Sequence, residues 1–206
     1  GSSMGRLDDR QADDTDQFGV ALRWFAAELN ETEFGLYFLQ YHSRLPLVGG
    51  QVATDSNNNG VIDTSEKFET TYFQIQYPEQ IQMAGLSFNT SGPGGISLGG
   101  EYSFKHDMPL QLNSPDLVIA TTGSPASPIV TNRLGDGVIS DLYGEIQDGY
   151  DLYDVSQIQV TAIKFIDQIW GASRLAFVGE AGATFVHNLP DTSEIRYGRF
   201  DQLGWG

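Results

Sequence analysis

Cysteine is missing from all 206 residues, and with it go disulfides, thiolate zinc sites, iron–sulfur clusters and cysteine nucleophiles. Basic side chains are scarce as well. Three Lys and eight Arg stand against 27 Asp and Glu, a formal charge of −16. Nucleic-acid affinity comes from Lys and Arg displacing counterions from phosphates, so no nucleic-acid partner and no polybasic membrane-surface role is expected. No apolar run reaches the roughly 18 residues of a membrane-spanning helix. Strands of a membrane barrel are short and alternating, so that class stays open. The sequence also lacks a Gly-x-Ser-x-Gly elbow, a His-Glu-x-x-His helix and a phosphate-binding glycine loop, and no enzyme is expected. A β-rich hydrolase would need two carboxylates converging in a cleft, and abundance of Asp and Glu does not supply that positioning.

What is present is sticky. Hydrophobic residues make up 40% of the chain and aromatic ones 12%, too much surface to leave solvated, so most of the chain folds. Twenty-four Gly and eight Pro favour short elements and turns over long helices. Gly1 to Gly5 resemble an expression-vector remnant, and residues 6–17 carry five Asp without apolar periodicity. Residues 1–17 are therefore expected to be a tag and a disordered acidic leader. Residues 18–206 are expected to form a single antiparallel β domain with loop insertions at 45–66 and 106–154.

Alternation carries that expectation. Phe18, Val20, Leu22, Trp24 and Ala26 share one face of a strand, and a second strand candidate runs from Thr32 to Arg44. Period two resumes over Phe68–Tyr77 and again over Gln80–Thr90. Ser91-Gly92-Pro93-Gly94-Gly95 then makes a tight turn into Ile96, Leu98, Gly100, Tyr102 and Phe104, opposed by Ser97, Gly99, Glu101, Ser103 and Lys105. A last pair alternates from Ser156 and from Leu175 to Phe185, joined near Gly171-Ala172-Ser173. The count is seven or eight strands, with no helix beyond short turns.

Two architectures fit. One is an antiparallel up-and-down transmembrane β-barrel, with Arg23, Glu101, Lys105, Lys164 and Glu180 facing a lumen and Tyr37, Tyr41, Tyr102, Phe104 and the Trp residues in interfacial girdles. The other is a soluble, secreted, calcium-binding β-sandwich that recognises carbohydrate or protein. Alternation says that one face is dry, not what dries it.

The sharpest local motif is Asp55-Ser56-Asn57-Asn58-Asn59-Gly60-Val61-Ile62-Asp63-Thr64-Ser65-Glu66, which matches the twelve-residue calcium loop at each required position. Side-chain oxygens of Asp55, Asn57, Asn59 and Asp63, the Val61 carbonyl and a bidentate Glu66 would supply the six to eight oxygens that Ca²⁺ takes. Gly60 would allow the turn and Ile62 would anchor the loop inward. Its flanks read as strand and loop, so a calcium loop between strands is expected rather than a paired sensor. Asn132 to Tyr143 echoes the pattern but has Leu134 at the third position and Tyr143 at the twelfth, and reads as a turn. His42, His106 and His187 are far apart in sequence and read as structural.

Three segments, FGVALRWFAAELNETEFGLYFLQYHSRLPLVGG (18–50), IQMAGLSFNTSGPGGISLGGEYSFKHDMPLQLN (81–113) and IKFIDQIWGASRLAFVGEAGATFVHNLPD (163–191), resemble a pseudomonad-rich family of large outer-membrane proteins known as a domain of unknown function. The resemblance implies a Gram-negative outer-membrane barrel concerned with uptake or catabolism of hydrophobic compounds. Its implied partners are outer-membrane lipid and a small hydrophobic or amphipathic solute. The chain lacks a signal peptide and the terminal aromatic residue of such barrels, ending Leu203-Gly204-Trp205-Gly206, so a barrel fragment is expected. A homo-oligomer through exposed strand edges is expected with it.

Overall fold

Period-two alternation becomes two sheet faces only where cross-strand register keeps like faces together. The computed structural model describes residues 4–134 and 138–198. Its strands are β1 (Gly5–Arg6), β2 (Phe18–Ala26), β3 (Thr32–Tyr41), β4 (Leu47–Gln51), β5 (Tyr72–Gln76), β6 (Ile81–Gly92), β7 (Ile96–Gln111), β8 (Ile146–Gln147), β9 (Tyr150–Ile169) and β10 (Ala172–Val186). Three short helices join them, α1 (Thr64–Glu69), α2 (Ser114–Thr121) and α3 (Pro128–Leu134). Six strands make one sheet in the order β10-β9-β7-β6-β3-β2, antiparallel throughout. Four short strands make a second sheet, β1-β5-β4-β8. The fold is all-β and antiparallel in its main sheet, as alternation predicts. Among the described residues that sheet is open, with β2 and β10 as unpaired edges and no closed barrel.

Antiparallel succession sorts the connections by length. Residues 27–31, 93–95 and 170–171 close the three tight turns at one end of the large sheet. Their geometry needs left-handed backbone, found at Asn30, Glu31, Gly94, Gly95, Trp170 and Gly171. Every long segment lies at the other end, namely residues 4–17, 42–80, 112–149 and 187–198. There they build a head on the second sheet and the helices.

The head has its own core. Leu112, Leu117, Ala120, Ile129, Val130 and Ile195 cluster in it, with Ile139, Leu142 and Tyr197 packed alongside. Asp116 is 2% exposed in the first turn of α2 and is held by Arg196, whose Nε and Nη2 donate to it at 2.9 and 2.5 Å. Burial, then hydrogen bonds with Tyr153 at 2.6 Å and Asp151 at 2.7 Å, hold the Tyr197 phenol well above its ordinary range. Gln76, fully buried, accepts from the Gly149 amide at 3.2 Å and so ties β5 to the start of β9.

Several expectations differ from this architecture. The acidic leader is ordered from Met4 on, with β1 parallel to β5 and the Leu7 and Arg10 amides donating to Phe73 and Ile75. The second insertion is shorter than 106–154, because β7 runs through Gln111 and β9 starts at Tyr150. Phe68 lies in α1, so the strand expected over Phe68–Tyr77 shrinks to Tyr72–Gln76 and pairs within the head. Short helices do exist, and the apolar run from Leu117 to Ala120 lies within α2. The terminal Leu203–Gly206 lies outside the described residues.

Removing one partner of a buried ion pair leaves an uncompensated charge. Arg196→Ala, which leaves buried Asp116 without its partner, is expected to destabilise the head by about 3 kcal/mol, whereas Arg6→Ala, which breaks a solvent-exposed pair with Asp9, is expected to leave the denaturation midpoint almost unchanged. Denaturant titration of the two variants checks the contrast.

Candidate functional site

Register places the same chemistry side by side from strand to strand. Leu22, Leu36, Leu86, Tyr102, Ile158 and Ala183 form one cross-sheet row. Trp24, Phe34, Phe88, Gly100, Val160 and Ala181 form the next, and the Phe88 ring fills the space where Gly100 lacks a Cβ. These rows are exposed, as at Leu22 (65%), Trp24 (63%), Leu36 (57%) and Ile158 (46%). A shallow groove of about 330 Å³ crosses them, lined by Val20, Leu22, Leu36, Phe38, Ala84 and Tyr102 among others. Polar rows bound the apolar band. Gln40, Gln82 and His106 mark the head side, with Gln82 Nε2 donating to Gln40 at 3.2 Å. Thr32 and Thr90, 2.6 Å apart, mark the turn side.

The opposite face carries the polar alternates. Arg23, Gly35, Ser87, Glu101, Gln159 and Gly182 share a row, and Phe25, Glu33, Asn89, Gly99, Thr161 and Glu180 share the next. A hollow of about 320 Å³ lies between Glu33, Ser87, Asn89, Glu101, Gln159 and Thr161. Of the five residues expected to face a lumen, Arg23, Glu101, Lys105 and Glu180 lie here. Three strand spacings, about 14 Å, separate Arg23 from Glu101, so they form no ion pair. Thr161 donates to Glu180 at 3.4 Å.

Lys164 is on the other side. It has the parity of Val160 and Ala162, pairs with Ile96 and Phe177 on the apolar face, and reaches the Gly94 carbonyl at the sheet's end. Tyr37 and Tyr41 also leave their expected girdle. Both lie on the polar face, where the Tyr37 hydroxyl is 3.1 Å from Ser87 Oγ.

In the head, the Asp55–Glu66 loop is drawn inward by its own backbone. Asp55 accepts from the Asn59 and Gly60 amides at 3.1 and 2.7 Å, Asn57 Oδ1 from Asn59 at 3.0 Å, and Asn59 Oδ1 from Val61 at 2.8 Å. Asp63 Oδ2 accepts from the Asn57 and Asn59 side-chain amides at 2.9 and 3.2 Å. Glu66 is 7% exposed and accepts from the Ser56, Asn57 and Asp63 amides at 2.8, 3.2 and 2.9 Å. Gly60, at φ +86°, takes the turn and Ile62 is buried. The flank is not purely strand and loop, because Asp63 caps α1, which carries Glu66 in its first turn. That arrangement turns the last residue of the motif back onto the first.

Among the described residues no three His, Asp or Glu side chains are gathered as a metal site by themselves. A cation here needs the Asn and carbonyl oxygens as well. In the echo of the loop, Asn132 donates to Glu194 O at 2.6 Å, Arg133 pairs with Asp151 at 3.3 Å, and Gly135 to Gly137 lie outside the described residues. His42 bonds the Thr15 carbonyl at 2.7 Å and the Gln80 amide at 3.0 Å, and His106 sits 2.6 Å from Asp154. His187 Nε2 is 2.7 Å from Ser156 Oγ, which is itself 3.1 Å from the Tyr102 hydroxyl. Each histidine has local work of its own.

Sequence reasoning missed Glu33, Asn89, Gln159 and Thr161 as partners in one hollow, since that needs the register of four strands. It also missed a second hollow of about 430 Å³ at the base of the head, where Tyr77, Pro78 and Tyr150 meet Arg10 and Glu79. The Arg10 guanidinium lies 5.9 Å from the Tyr150 ring centre and donates to its hydroxyl at 2.6 Å.

A family model described as "Protein of unknown function (DUF1302)" matches residues 1–206. Neither the curated proteins nor the solved structures contain a match to the chain.

Glu66→Ala strands three backbone N–H groups in the loop and is expected to cost about 2 kcal/mol even in chelator. Glu69→Ala, exposed at the end of α1, is expected to change stability by less than about 0.5 kcal/mol. Denaturation of both variants in EDTA measures the difference.

Proposed function

Taking as premise that the chain belongs to the DUF1302 family, we propose that it forms wall and outer loops of a Gram-negative outer-membrane β-barrel that passes or binds small hydrophobic or amphipathic molecules. The observation that carries this reading is the six-stranded meander with an exposed apolar face, a polar opposite face, and all tight turns at one end. Membrane barrels are built that way, with short periplasmic turns, long outer loops, lipid outside and water inside. From the Thr32 row to the Gln40 row is about 26 Å along the strand at 3.3 Å per residue. At the usual tilt of 35–45° the band stands about 20 Å tall, near the apolar band of such barrels. Trp24, on the apolar face one residue row inside Ala26, and Lys164 at its turn-side limit suit the interface there. A soluble sandwich would need a second layer over Leu22, Leu36 and Leu86, and no described element covers them.

The aromatic hollow beside Arg10 supports an amphipathic solute, because flat apolar rings and a charged head meet at the mouth of the wall. The Asp55–Glu66 loop is read as a calcium loop on the outer side. Three carboxylates in twelve residues repel one another, and a hard cation turns that repulsion into shared attraction. With no paired loop and three carboxylates, its affinity belongs in the range of about 10⁻⁴–10⁻³ M typical of extracellular modules. The edges of β2 and β10 are read as accepting further strands, or second copies of the chain.

The chain has no cysteine, so each introduced one is unique. In bilayers, Glu101→Cys is expected to react with a water-soluble maleimide, while Leu86→Cys is shielded by lipid. Equal labelling of the two in an intact, folded protein would sink the membrane reading. For the metal, millimolar Ca²⁺ is expected to raise the melting temperature by about 5 °C through preferential binding to the folded state. Glu66→Gln removes that rise, and an unchanged wild-type melting curve with calcium or chelator would count against the site.

A further inference from the structure

The calcium-type loop does not stand alone in the head. Its central apolar residue, Ile62, is buried with its δ-methyl in the space left by Gly123, which sits at φ +67° just after α2, and beside the Tyr143 ring. Both ends of the loop are tied to the same neighbouring segment. Before it, the Ala53 amide donates to Thr121 O at 2.7 Å, the Val52 amide to Glu145 O at 2.9 Å, and the Gly144 amide back to Val52 O at 3.1 Å. Gln51 Nε2 adds a bond to Gly144 O at 2.7 Å. After it, buried Thr71 donates to Thr121 O at 3.3 Å. Thr54 and Thr70 close the base of the loop, the Thr54 amide donating to Thr70 Oγ1 at 2.8 Å.

From these contacts we infer that calcium in the Asp55–Glu66 loop clamps residues 138–147 of the 112–149 segment, together with the end of α2, against the rest of the head; this rests on the calcium reading of the loop. The closed loop brings Ile62 to Gly123 and Tyr143, and an open loop cannot. A cation that binds only the closed loop therefore favours the docked segment. By linkage the docked segment raises cation affinity by the same factor. Gly123 fits this role because a side chain there would collide with Ile62, and its left-handed backbone suits glycine. The physical effect is calcium-dependent order in an outer segment that continues through β8 into the wall strand β9. Outer divalent ions thereby set how firmly the mouth of the wall is covered.

The test is hydrogen exchange of the full chain in lipid, with calcium or chelator, alongside calorimetric titration with CaCl₂. Wild type is expected to bind calcium and to slow exchange of the Gly144 and Glu145 amides about tenfold, within the usual span of coupling between sites. Ile62→Ala is expected to keep binding while losing most of that slowing. Calcium binding by wild type with no change at Gly144 and Glu145 would overturn the clamp and leave the calcium reading standing. Equal slowing in wild type and Ile62→Ala would also overturn it. No calcium binding at all by folded wild type would remove the calcium reading, and the clamp with it.

Discussion

Backbone pairing in the large sheet is the constraint on which the other features depend. A strand in contact with hydrocarbon has no water for its N–H and C=O groups, so each must find a neighbouring strand. The ladder that satisfies them also fixes which side every residue faces, since a one-residue slip would exchange the faces wholesale. Across five antiparallel pairings the register has one irregularity, between Lys105 and Met108 at the head end of β7. Leu22 therefore shares a row with Ile158, four strands away, and Arg23 shares one with Gln159. The apolar face and the polar face are two consequences of one register.

Connection length follows from the same up-and-down order. Tight turns allow little beyond glycine-like backbone, and among the described residues the turn end of the sheet carries no other structure. Chemical variety is confined to the head, where segments are long enough to fold on their own core. That core is small, and it relies on polar fixtures as much as on Leu117 and Ile129. Asp116 with Arg196, Gln76 with Gly149, and Glu66 with three amides each satisfy groups that burial would otherwise penalise. Head and large sheet are thus built differently, the head around a packed core of its own and the large sheet with its apolar face exposed among the described residues.

How much was legible in the sequence divides along the same line. The hairpins around residues 27–31, 93–95 and 170–171 could be read because alternation ran unbroken on both sides of residues suited to turns. The head could not. Its helices span six to eight residues, too short for a helical period to show, as in α2, where Leu117 and Ala120 turn inward while Val118 and Ile119 turn out. β1 is two residues long and exists because the β5 edge offers it hydrogen bonds. Lys164 shows charge and parity in conflict. Charge suggested the lumen, but the ladder obeys parity, and a long side chain at the end of the sheet satisfies its amine on the Gly94 carbonyl without changing face. The calcium-type loop was legible residue by residue, whereas α1, which returns Glu66 to the loop, was hidden behind Phe68 and the period-two run after it.

The two sheet edges set a further requirement on the membrane reading. β2 is nine residues long and β10 fifteen, each paired on one side with the outward backbone groups of alternate residues left open, and hydrocarbon tolerates neither edge. Pairing β2 of one copy with β10 of another would satisfy the shorter edge and leave about six residues of the longer one bare, a mismatch costing several kcal/mol for each unsatisfied group in lipid. Pairing β10 with β10 of a second copy saturates that edge but not β2. Copies of this sheet alone therefore close a membrane wall poorly, however many are joined. Strands of different length and sequence close it better, and the apolar rows that end abruptly at Trp24 and Ala181 specify what those strands must show to lipid.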